Sequence, residues 1–203
     1  MRWSDVHRAQ QAVTGSGPAV EPLSYADIKT FLRLPSDDDQ VLVDGYIAAA
    51  RMKVEEDAGL ICITQKRDLI FDDFPDDPIQ VPFEPLIAVD SIKVTSVAGV
   101  QSTVAPAVYQ ADYASSPPRV YPADNQYWPT DIRRMAGIVM RCSVGYGASG
   151  ASVPETALHA MRYLIRIWWY AYRGTDVVAP LTAPPKWVGY DNAIGLLRTR
   201  GKL

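Results

Sequence analysis

Apolar residues recur three and four apart in three stretches of the chain, and between the second and the third the period shortens to two. The first helix is announced at Leu23-Ser24-Tyr25-Ala26-Asp27-Ile28. Ser24 can cap it, Asp27 three residues on completes a capping-box-like pair, and Leu23 can staple against Ile28. It covers about 24–34 and ends before Pro35. Ser36 followed by Asp37, Asp38 and Asp39 repeats the signal and puts acids at the positive end of a second helix, about 37–58. There Val43, Ile47, Ala50, Val54 and Ala58 form one apolar stripe, closed by Gly59. Two helices joined by a short turn make an αα-hairpin.

From about 61 to 146 the composition turns β-branched, aromatic and proline-punctuated. Runs such as Asp68-Leu69-Ile70-Phe71, Ser91 to Val97 and Gly137 to Cys142 read as strands. The prolines between them suit turns and edges, so the strands should be short and mostly antiparallel. After the turn at Gly145-Tyr146-Gly147, Ser152 and Glu155 form another capping box with Pro154 in the first turn. It opens a helix over about 153–173 in which Leu158, Met161, Ile165, Trp168 and Tyr172 line one face. On this spacing Trp168 and Tyr172 belong to the core, while Trp169 and Tyr170 point elsewhere and need a second partner, the β insertion or another subunit. A proline-rich link with Pro180, Pro184 and Pro185 leads to an amphipathic tail, Trp187 to Leu197.

The fold class is therefore α+β. A mainly helical core, made of the αα-hairpin, the long third helix and a C-terminal helix, is interrupted by a β-rich antiparallel insertion between helices 2 and 3. A single domain over 23–174 is preceded by an arm, 1–22, and followed by a tail, 175–203. The arm has no sustained periodicity and reads as flexible unless a neighbouring subunit holds it.

With 203 residues, 48% of them hydrophobic, the chain supports one sizeable core. A net charge of -3 argues against a protein that coats DNA nonspecifically. The longest apolar stretch, Leu164 to Tyr172, is broken by Arg166 and falls far short of the roughly 20 residues that cross a bilayer. The N-terminus has no apolar core of a signal peptide, which places the chain in the cytoplasm where it is made. Cys62 and Cys142 are too few for a disulfide framework or a thiolate metal site and read as reduced structural thiols. The charge is polarised: Ser36 to Asp90 holds 14 acids against 4 bases. Such separation can orient subunits in an assembly or line a channel with one sign.

Candidate chemistry is sparse. Asp72, Asp73, Asp76 and Asp77 lack the spacing of a calcium loop and read as a solvated turn. Gly145, Gly147 and Gly150 lack the following Lys-Ser/Thr of a phosphate loop. His7 and His159 are the only histidines, and Ser149 is not in a nucleophile elbow. No catalytic residue, metal site or cofactor site is expected. Trp187, Tyr190, Ile194, Leu196 and Leu197 are too apolar for a free tail and either fold back or dock into another protein, with Arg198, Arg200 and Lys202 as a basic end.

The order of these signals resembles a known family. Leu23 to Arg33 (Leu-Ser-x-x-Asp-Ile-Lys-x-x-Leu-Arg), Ile47 to Arg51 (Ile-Ala-Ala-Ala-Arg) and Ile63-Thr64-Gln65 are followed by Pro85-Leu86, Trp128-Pro129 and Gly145-Tyr146-Gly147. Val153-Pro154-Glu155 then opens the helix that ends in Trp168-Trp169-Tyr170. Over roughly Leu23 to Gly174 this pattern resembles the head–tail connector, or adaptor, proteins of tailed bacteriophages and gene transfer agents.

The resemblance implies a structural protein and not an enzyme. Its expected partners are further copies in a dodecameric ring, the portal protein, a downstream stopper or tail protein, and double-stranded DNA that passes through without sequence-specific binding. It also implies a virion neck location after assembly in the bacterial cytoplasm, with no membrane partner. On that analogy Trp187, Tyr190, Leu196, Leu197, Arg198 and Arg200 would dock on the portal, and Trp169 and Tyr170 would meet a neighbouring subunit. The alternatives are a virion-associated hydrolase, or a monomeric ligand-binding module with a pocket lined by Tyr109, Tyr113, Tyr121 and Tyr127.

Overall fold

A computed structural model describes residues 10–12, 17–173 and 188–199. The α+β class holds: among the described residues there are four α-helices and two antiparallel sheets, with the strands between the second and third helices except for one at the N-terminal side. The residues divide into a β unit, built mainly from 64–145, and a helical unit, built from 18–63 and 146 onward.

In the helical unit α1 spans Tyr25–Leu32 and opens with the expected capping box. Ser24 Oγ accepts from the Asp27 amide at 3.2 Å, and Asp27 Oδ2 accepts from the Ser24 amide at 2.9 Å. Arg33 closes it in the left-handed conformation, φ 55°. The second helix, α2, spans Gln40–Ala58 and begins three residues later than the Ser-Asp-Asp-Asp signal suggested. The reason is local competition: Ser36 donates its hydroxyl to Asp38, and a turn from Asp37 O to the Gln40 amide is completed before the helix starts. Its stripe is as expected, with Val43, Ile47, Ala50 and Val54 buried and Gly59 left-handed at the end. The third helix, α3, spans Glu155–Arg173. Glu155 is its first residue, so it cannot close a box from Ser152, which sits in a preceding 3-10 turn; it pairs with Arg162 instead. The fourth, α4, spans Val188–Thr199 and packs on α3 and α2. The shared core includes Leu23, Ile28, Ile63, Met161, Leu164 and Ile165.

A buried ionic group ties this unit together. Arg51, 7% exposed, donates from Nη1 to Glu55 Oε2 at 2.9 Å and forks onto Glu21 from Nε and Nη2, at 2.8 and 3.3 Å. Glu55 Oε1 accepts from the Cys62 amide at 2.9 Å. Burial alone lowers the Arg51 pKa, but the hydrogen bond to Glu21 and the two carboxylate charges outweigh it and hold the guanidinium above its ordinary value.

In the β unit, β1 (Gln10–Ala12), β2 (Gln65–Phe71), β4 (Leu86–Thr95), β5 (Gln101–Thr103) and β8 (Ile138–Val144) make a sheet of order β1-β2-β8-β4-β5. A second sheet, β3-β7-β6, holds β3 (Ile79–Gln80), β6 (Tyr109–Asp112) and β7 (Arg119–Pro122). Three residues of the presumed flexible arm are thus an edge strand, Gln10 opposite Ile70. Alternation sets the faces: Ile138, Met140, Cys142 and Val144 are buried, and Leu69 and Ile92 lie across from Met140. The opposite face is an ionic ladder. Arg141 forks onto Asp68 at 2.7 and 2.8 Å, and Lys66 reaches Asp90 at 2.8 Å beside Ser143.

Cys62 and Cys142 are free and buried, and burial pushes each thiol up to about 12.

Asp112 caps the β6–β7 hairpin. It accepts from Arg119 at 2.7 Å and from the amides of Ala114 and Ser115, and these bonds, Arg119 first, lower its pKa to about 2. A depressed carboxyl contributes stability that is present above its unfolded pKa of 3.8 and is lost as pH falls through about 2. In a carboxyl NMR titration Asp112 should titrate near 2, and Arg119→Ala should move it up toward 3.8. An unshifted wild-type midpoint would remove this cap.

Candidate interaction surfaces

The expected assignment of the α3 aromatics is corrected at Trp169. Trp169, expected to point outward, is 3% exposed in the helical core, whereas Trp168 is half-buried and packs its ring 5.9 Å from that of Tyr46. The helix packs between α2 and α4 and also touches α1, so its buried arc is wider than one stripe. Tyr170 does face outward, 41% exposed, with the Arg166 guanidinium 5.8 Å from its ring centre. Of the two residues anticipated at a subunit boundary, Tyr170 alone is on the surface.

The tail takes the fold-back course. Tyr190, Ala193, Ile194 and Leu197 are buried in the core of the same chain. The Tyr190 hydroxyl donates to Asp57 Oδ2 at 2.6 Å, and Arg198 Nε donates to the Asp57 carbonyl at 2.6 Å. Burial, followed by the Asp57 hydrogen bond and charge, raises the Tyr190 pKa. Tyr190 and Leu197 therefore do not form an outward docking surface here: their apolar area is spent on α2 and α3. Leu196, 63% exposed, and Arg198 remain at the surface. Trp187, Arg200 and Lys202 lie outside the described residues. Tyr190→Phe should cost about 1.5–3 kcal/mol in a denaturant titration, the value of one hydrogen bond to a charged group. No change would mean that α4 is not held here.

Among the aromatic residues of the β unit, Tyr121 and Tyr127 share an open depression of about 410 Å³ with Trp128, Asn125 and Gln126. Tyr109 stands 6.4 Å from Trp128, which stacks on Phe74 at 4.2 Å, and Tyr113 does not line the depression. The four tyrosines are not gathered into one pocket. Asp73 accepts locally from the Phe74 amide, and Asp72 accepts from the distant Ala136 amide. Among the described residues no group of three or more His, Cys, Asp or Glu could hold a metal, and no helix is long and apolar enough to cross a membrane.

The acidic segment is partly neutralised. Asp37, Glu55, Asp57, Asp68 and Asp90 are each in a salt bridge, with Lys29, Arg51, Lys53, Arg141 and Lys66. Two features escaped the sequence reading. One is the Glu21–Arg51–Glu55 group, whose available signal was an Arg and Glu four apart beside an apolar stripe. The other is the outward side of α2, where Val41 and Met52 are 87% and 62% exposed.

A helical unit split by an antiparallel β unit is the arrangement against which known proteins can be compared. Over residues 24–111 the chain is similar to the phage gp6-like head-tail connector proteins. This connector match takes in α1 and α2, with Arg51 and Glu55, and continues through the strands into β6. The fold extends the likeness. The neck of the empty gene transfer agent particle, computed with C6 symmetry, aligns with a TM-score of 0.73 and 20% identity over 93% of this chain and 95% of that one. The neck of the native particle, computed with C12 symmetry, aligns at 0.71 and 21% over 93% and 94%. No curated protein matches significantly. At 20% and 21% identity these necks share the fold of this chain.

Proposed function

We propose that the chain is the adaptor subunit of a ring that joins the portal of a phage-like head to the tail and extends the DNA channel. The observation that carries this is the coincidence of the connector match over 24–111 with a whole-chain fold found in particle necks of sixfold and twelvefold symmetry. Ring closure follows from repeated contact between unlike faces of identical copies, and such contact is not satisfied in a monomer. The portal and a downstream stopper or tail protein are the partners on the two sides of the ring, and double-stranded DNA passes through without base-specific contact. The acids that face solvent would keep the duplex from adhering. With Tyr190 and Leu197 occupied internally, portal attachment falls to Leu196, Arg198 and the residues that flank α4, Trp187 and Arg200 among them.

Native mass spectrometry of the full chain, alone and mixed with its portal, tests the proposal. Rings, or rings that form only on the portal, are the expected result. A chain that stays monomeric in both conditions would overturn it.

A further inference from the structure

The helical unit carries two unlike surface stripes, on the sides of α2 and α3 that face away from each other. In α2 the core side is Val43, Ile47, Ala50 and Val54, so the helical period puts Val41, Gly45, Ala49, Met52 and Glu56 on the opposite side. Val41 and Met52, 87% and 62% exposed, are the two most exposed large apolar residues of α2. Between them the side chains are short, and nothing stands within 4 Å of the place a Gly45 Cβ would take. Glu56 lies on this stripe and Asp44 at its border, both exposed, so the stripe is apolar with an acidic margin.

In α3 the core side is Ala157, Met161, Leu164 and Ile165, and the opposite side presents His159, Arg166 and Tyr170, all exposed. Arg162 is engaged by Glu155, so the uncompensated charge of the stripe is Arg166, held over the Tyr170 ring. This stripe is aromatic with a basic margin. Both margins are matched in kind, apolar to aromatic and acidic to basic, and the two sides cannot meet within one chain because α2 and α3 already pack through their other faces.

We propose that copies of this chain join head to tail through these stripes, the α2 stripe of one copy receiving Arg166 and Tyr170 of the next. The inference rests on the ring reading above and specifies which surface closes the ring. The occupant is a second copy of this chain: complementary charge on opposite sides of one rigid helix pair is the requirement for a heterologous contact that repeats around an axis.

The test is charge reversal in the full-length chain, read as oligomer mass by native mass spectrometry or particle imaging. Glu56→Arg brings like charges together at every contact, and so does Arg166→Glu. Each variant alone should need about tenfold or more higher concentration to assemble than the wild type. Mixed in equal amounts they should assemble again, because in an alternating ring Arg at 56 meets Glu at 166 and Glu56 meets Arg166. Met52→Lys is a second variant of the first kind and should likewise be rescued by Arg166→Glu. Circular dichroism melts matching the wild type establish that the single variants are folded.

Loss in the single variants with rescue in the mixture supports the contact. Single variants that assemble like the wild type, or folded single variants that the mixture does not rescue, overturn it while leaving the ring reading in place. A wild type that never assembles, with or without the portal, overturns the ring reading and this inference together.

Discussion

Replacing Glu55 with alanine is expected to destabilise the helical unit by about 3 kcal/mol, and Glu55→Gln by distinctly less. Glu55 is 8% exposed and works through both oxygens: one receives Arg51, the other the amide of Cys62, a residue with no exposure at all. Alanine leaves that amide without its acceptor and removes one of the two carboxylates around a buried guanidinium. Glutamine keeps one acceptor oxygen for the Cys62 amide but turns an NH2 donor toward Arg51, so it gives up the charge and the Arg51 bond while Arg51 still forks onto Glu21. The difference between the two variants therefore separates the hydrogen bond to the backbone from the ion pair. Denaturant unfolding measures both, and faster hydrogen exchange at the Cys62 amide in the alanine variant identifies the site. Equal losses for the two variants would mean that the charge dominates; no loss for either would remove the ionic group as an organiser of this unit.

What the sequence disclosed follows the range of the forces involved. The capping box of α1, the stripe of α2 and its left-handed Gly59 depend on residues within four positions of one another, and periodicity reports them directly. The start of α2 was displaced because four adjacent residues, Ser36 to Asp39, can each take a local hydrogen bond, and spacing does not rank them. Trp169 was misplaced because α3 touches more than one helix, and one of them, α4, comes from a segment whose docking site is set by non-local packing. The strand Gln10–Ala12 is three residues long, too short for any period, and exists through its pairing with Asp68 to Ile70. The candidate surfaces show the same division. Tyr170 was legible as an outward aromatic, whereas the fold-back of Tyr190 onto Asp57 joins residues 133 apart in sequence. The outward stripe of α2 is the complement of the legible apolar stripe, and the exposed Val41 and Met52 within it were the available clue.

Gly150→Ala is expected to lower stability by about 3 kcal/mol, while Gly45→Ala should raise it by about 0.5–1 kcal/mol. The two glycines have no feature in common except the missing side chain. At Gly150 a Cβ would fall 1.9 Å from the Pro22 carbonyl oxygen and 2.9 Å from its carbon, so backbone and not a flexible side chain would have to yield. The residues beside Pro22 make that movement expensive. Glu21 is the carboxylate onto which Arg51 forks, and Leu23, 2% exposed, is part of the core. Displacing Pro22 therefore loosens the ionic group and the packing of the segment that leads into α1. Gly45, by contrast, lies inside α2 with open space where its Cβ would stand, so alanine there removes only backbone freedom from the unfolded chain. Thermal or denaturant unfolding of the two variants side by side should give shifts of opposite sign. A neutral Gly150→Ala would show that the turn before α3 does not rest against the Pro22 backbone, and the docking of the segment leading into α1 would have to be redrawn.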